Sequence, residues 1–174
     1  MKLTLIVLAF VLFGGISTAV VLAEQDKPSV DISQFNYDAP VAPVAPSVPD
    51  LNELANLVNQ ERTKAGLQPL VRDADLDASA TDKCNDMVAG KYWGHVNAAG
   101  VHGYEYIKQR QANKWVSENL AHGYYNSLSV DRGWMNSAPH KAAILDPRYD
   151  EVGYAICQVE GYPNSIVQHF SDSI

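Results

Sequence analysis

Residues 151–159 read E-V-G-Y-A-I-C-Q-V, an alternation with no polar face. Val152, Tyr154 and Ile156 fall on one side of the predicted strand, and Gly153, Ala155 and Cys157 on the other. A strand that is apolar or small on both faces needs cover on both. A turn at Gly161–Ser165 leads into a second predicted strand, Ile166–Phe170.

Helical patterns come earlier and supply the covering layers. Asp50, with Glu53 three residues on, caps a predicted helix whose stripe is Leu51, Leu54, Ala55 and Val58 and whose end is Gly66. A second helix follows Asp73, with Leu76, Ala80, Cys84, Met87 and Val88 on one face, and stops at Gly90. Lys91–Gly103 is irregular, and Tyr104–Ala112 reads as a short helix. Lys114–Gly123 is an apolar stretch interrupted by Glu118 and Asn119. Ser129 caps a further helix with Asp131 in its first turn, which carries Val130 and Trp134 inward and ends near Pro139. Helices that precede strands, rather than alternate with them, predict an α+β fold.

The region before Asp50 has a different character. Met1–Ala23 is an apolar run behind Lys2 that ends Val21-Leu22-Ala23, the pattern of an export signal, with an uncleaved membrane anchor as the alternative. Residues 24–50 form a linker with Pro40, Pro43, Pro46 and Pro49 at a period of three, suited to an extended polyproline rod. The predicted organisation is therefore a leader or anchor at 1–23, a spacer at 24–50 and a domain at 51–174. Both versions put the domain outside the cytoplasm, secreted or tethered. There the two cysteines, Cys84 and Cys157, are read as a disulfide in preference to two buried thiols.

Thirteen Lys and Arg against 20 Asp and Glu give a net charge of −7, without the basic footprint of a nucleic-acid binder. Membrane contact is expected only through the N-terminal segment, and a monomer is expected.

The candidate chemistry lies in His95, Glu118 and His140, on three separate segments. Two imidazoles and a carboxylate suit metal binding or acid–base work. Burial of Glu118 in an apolar stretch is costly unless it is paired. Ser137 with His140 lacks a Gly-x-Ser-x-Gly elbow, and Ser137 is read as satisfying backbone groups at the Pro139 break. His102 and His122 are read as solvent-facing.

The motifs G-H-V-N-A-A-G at 94–100, S-E-N-L-A-H-G at 117–123 and W-M-N-S-A-P-H-K-A-A-I-L at 134–145, followed by D-P-R-Y-D-E-V-G-Y-A, resemble the bacterial branch of the CAP superfamily. The resemblance implies a three-layer α-β-α sandwich over roughly Leu51–Phe170. It also implies a cleft lined by His95, Glu118, Ser137 and His140. Ser137 stands where many members carry a second acid. A divalent cation, zinc foremost, is implied at His95, Glu118 and His140. The function expected is an extracellular binding module for a ligand or protein that the sequence does not name. The alternatives are an extracellular, peptidase-like hydrolase with His95, Glu118 and His140 as catalytic candidates, and lipid or sterol binding along Tyr104–Tyr125.

Overall fold

The computed structural model describes residues 47–112 and 115–173. The expected leader and most of the spacer lie outside the described residues. The chain divides into two units after Ala42, and the described residues all belong to the unit beginning at Pro43.

Helix α1 (Leu51–Lys64) is capped as expected, with the Asp50 carboxylate accepting from the Asn52 and Glu53 amides at 2.7 and 3.0 Å. Gly66, at φ +78°, follows its last turn, a left-handed backbone that glycine adopts without cost. After a short strand β1 (Val71–Arg72), helix α2 (Ala74–Gly90) buries Leu76, Ala80, Cys84 and Met87. Val88, expected on that face, is 44% exposed, two residues before the helix ends. Helix α3 (Gly103–Lys108) is shorter than predicted.

The apolar stretch around Glu118 is a strand, β2 (Val116–Ala121), which its two polar residues hid. Asn126 caps α4 (Ser127–Met135) by accepting from the Ser129 amide at 2.8 Å, so the predicted cap at Ser129 is displaced. Asp131 is thereby moved out of the first turn and is buried. Pro139 does not merely end a helix. It sits in the first turn of α5 (Ala138–Ile144), where its missing N–H has no partner to lose.

Strands β3 (Glu151–Val159) and β4 (Tyr162–Ser171) form a hairpin, with β4 starting earlier than the expected turn allowed. The sheet runs β1-β3-β4-β2, with β1 parallel to β3 and the other pairs antiparallel. One face packs Val152, Tyr154, Ile166 and Phe170 against Leu54 and Val58 of α1, Val130 and Trp134 of α4, and Ile144 of α5. The other packs Ala155, Val159, Val167 and Leu120 against Ala80, Cys84 and Met87 of α2. The two-faced strand thus carries an α-β-α sandwich. The Cys84–Cys157 disulfide ties α2 to β3. A Cβ on Gly153 would lie 2.2 Å from the Leu76 carbonyl carbon, so α2 approaches this closely only over a glycine.

Candidate functional site: a carboxylate held between two histidines

Glu118 and Leu120 alternate with Asn119 and Ala121 along β2, so the carboxylate enters the layer between the sheet and α2. Its side chain is only 4% exposed. Both oxygens are taken: Oε1 lies 2.7 Å from His95 Nδ1 and Oε2 lies 3.1 Å from His169 Nε2. An ionised carboxylate only accepts, so each ring presents an N–H to it. Burial pushes the Glu118 carboxyl up. The bonds from His169 and His95, with the charges of His169 and Lys83, outweigh burial and hold it below the ordinary value.

The two histidines differ in setting. His95 is 54% exposed and belongs to the irregular segment after α2, whereas His169 is fully buried in β4. His95 donates Nδ1–H to Glu118, which leaves Nε2 as its basic nitrogen. His169 has both nitrogens engaged, since the Ser79 hydroxyl lies 2.8 Å from its Nδ1. The Ser79 oxygen also lies 2.9 Å from the Leu76 carbonyl, and when its single proton goes to that carbonyl, His169 Nδ1 is the donor to Ser79. Ser79, His169 and Glu118 have the membership of a hydrolytic triad, but Ser79 and His169 are both at zero exposure and no substrate reaches that hydroxyl.

Two further devices hold the site. Gly103, at the start of α3, lies over Glu118: a Cβ there would fall 2.0 Å from Oε2. The Gly103 amide donates to the His95 carbonyl at 2.7 Å, which fixes the His95 backbone. The loop carrying His95 is also pinned to α2. Buried Lys83 donates to the Tyr92 hydroxyl at 2.7 Å, and that hydroxyl donates to Asp86, which also accepts from Asn97. Burial lowers the Lys83 pKa, against the pull of Glu118 and Asp86.

His140 is half-buried in α5, which is anchored to β2 where Asn119 Nδ2 donates to the His140 carbonyl at 3.2 Å. Its pKa is lowered, first by burial and then by His95. His140 and Ser137 line a cavity of about 300 Å³ together with Trp93, His122, Tyr124 and Trp134. The Ser137 side chain makes no capping bond, so it does not serve the backbone break as expected. His122 packs edge-on to Trp93 and Tyr162 at 4.8 and 5.1 Å, and His102 stacks on Tyr104.

Among the described residues, no group of three or more His, Cys, Asp and Glu side chains is arranged to hold a metal ion. With both Glu118 oxygens engaged, the donors left are the two imidazoles.

Fold and side chains together define a disulfide-tied α-β-α sandwich with a histidine–carboxylate site. The chain belongs to the CAP family, described as the cysteine-rich secretory protein family, whose model matches residues 55–170. It is 35% identical over 98 residues to YkwD of Bacillus subtilis (strain 168), a match covering 56% of this chain and 38% of that relative's length. An outer surface protein from Borrelia burgdorferi superposes with a TM-score of 0.64 at 21% identity, covering 71% of this chain and 92% of that one. An extracellular SCP-domain protein from Bacillus anthracis str. Ames gives 0.63 at 19% identity, covering 70% and 40%. At those identities the structural likeness establishes the fold.

The sequence pointed to His95, Glu118 and His140, and the structure joins the first two directly. It missed His169 and Ser79. The signal available was a histidine beside Ile166, Val167 and Phe170 in a predicted strand, the same argument that singled out Glu118.

Proposed function

We propose that this is an exported CAP domain that acts by binding, and that its cleft takes a divalent cation, zinc first, through His95 and His140. Supporting export are the apolar N-terminal run, the disulfide, and the extracellular or outer-surface descriptions of the two structural relatives. Among the described residues, no helix is long and apolar enough to cross a membrane. The observation that carries the cleft reading is the His95 Nδ1–Glu118 bond. A carboxylate behind an imidazole fixes its tautomer and raises the basicity of the nitrogen left over, the usual support of a metal-binding histidine. A bound ion would supply a Lewis-acidic centre for a ligand. Calorimetric titration with Zn²⁺ tests this against a His95→Ala/His140→Ala variant, and equal heats for the two proteins would remove the site.

The same Glu118–His95 pair suits a general base acting on water, which keeps the hydrolase reading in view. A panel of peptide and ester substrates separates the readings: turnover that disappears in Glu118→Gln favours the hydrolase. The lipid reading has less support, because Tyr104 stacks on His102 and Trp115 carries the Arg148 guanidinium at 4.2 Å.

A further inference from the structure

We propose that His169 is a positioning residue for the cleft: held from behind by Ser79, it fixes Glu118 in the orientation that receives His95 Nδ1–H. This rests on the reading of His95 as a cleft ligand, but its geometry stands apart from any bound ion.

The register shows how the arrangement arises. His169 pairs with Glu118 on β2 and with Gly153 on β3. Since Gly153 has no side chain, the α2 backbone comes down at Leu76–Asp77. One turn on, Ser79 then sits 2.8 Å from His169 Nδ1. The imidazole is pinned at one nitrogen by a helix and offers the other to Glu118 at 3.1 Å. A glutamate has three side-chain torsions and would otherwise be free to turn. With Oε2 fixed by His169 and the Gly103 backbone closing the space above, Oε1 is left to face His95. A leucine would fill this core position without the desolvation cost of a buried imidazole, so packing alone gives no reason for a histidine here.

Three variants test the proposal: His169→Leu removes the donor, His169→Gln keeps an N–H, and Ser79→Ala loosens the ring. The readouts are the His95 tautomer, from ring ¹⁵N chemical shifts, and Zn²⁺ affinity by calorimetry. Wild type is expected to hold His95 with hydrogen on Nδ1. His169→Leu should lose that preference and bind Zn²⁺ about 10- to 100-fold more weakly, the usual effect of losing an outer partner. His169→Gln should keep the tautomer and remain within about threefold of wild type in affinity, since it retains the donor. A folded His169→Leu with an unchanged His95 tautomer overturns the proposal, as does a His169→Gln that behaves like the leucine variant. If His169→Leu does not fold, Ser79→Ala decides: a mixed His95 tautomer supports the proposal, and an unaltered one overturns it. If wild type takes no Zn²⁺, the metal reading fails, and the tautomer alone settles the role of His169.

Discussion

Glu118 and His169 are direct partners across the β2–β4 ladder, and their side chains meet on the face that α2 covers. A charged or hydrogen-bonding pair at such a place is costly to break, because the survivor stays buried. Glu118→Gln should therefore destabilise the fold by about 3 kcal/mol near neutral pH. The Glu118 pKa is lowered in the folded state, so its contribution is fully present above the unfolded value of about 4.3 and fades as pH falls below it. Urea titrations of wild type and variant should converge in acid. A constant gap down to pH 3 would contradict this account.

Asp131 behaves in the opposite sense. Its Oδ1 is buried with no hydrogen-bond partner, and its pKa is raised, first by burial and then by Glu61, against Lys64 and Arg132. The ionised form costs stability at neutral pH, a cost that is relieved as pH falls through the raised folded value. Asp131→Asn should gain about 1 kcal/mol at pH 7, with the gain vanishing below the unfolded pKa of about 3.9. Paired thermal melts at pH 7 and pH 3.5 measure it, and a loss at neutral pH would count against the burial argument.

Gly103→Ala should injure the site at a distance from any cleft ligand. The added Cβ must push Glu118 aside, at about 1–3 kcal/mol of overpacking, and break its bond to His95. A lower midpoint together with an altered His95 ¹⁵N signature is the result to look for. An intact signature would mean that α3 moves instead of Glu118.

The disulfide closes a separation of 73 residues, so replacing Cys84 and Cys157 by alanine should cost about 4 kcal/mol in the chain-entropy treatment. Chemical denaturation of the double variant gives the number directly.

His140 should titrate below about 6.5 in an NMR pH series, because burial and the neighbouring His95 both disfavour its charged form. Removing His95 should move the midpoint partway back, since burial, the larger cause, remains.

Periodicity made α1, α2 and the hairpin strands legible, since their apolar positions repeat cleanly and Asp50 and Asp73 cap as such residues do. The strand β2 was not legible, because Glu118 and Asn119 break an apolar run for reasons that lie elsewhere in the chain. Asn119 Nδ2 bonds Gln168 at 3.0 Å, and Glu118 bonds His169. Both partners come from β4, some 50 residues later, and only the ladder register brings them opposite. The break at Pro139 was visible, but a proline that ends one helix and a proline that begins the next leave the same mark in sequence. His95, Glu118 and His140 were reachable as chemically unusual residues. The hidden half of the site was not, because a buried histidine in a strand looks like an isolated oddity until its neighbours are known.

Gly103 and Gly153 flank the buried carboxylate–histidine pair, one as the first residue of α3 against Glu118 and the other beside His169 beneath α2. Neither has the positive φ that makes most glycines hard to replace. What a larger residue meets is the Glu118 carboxylate at one position and the helix backbone at the other. In a saturation library both columns should be depleted, Gly153 more severely because backbone cannot step aside, and together they would outline the hidden machinery of the cleft without any ligand being known.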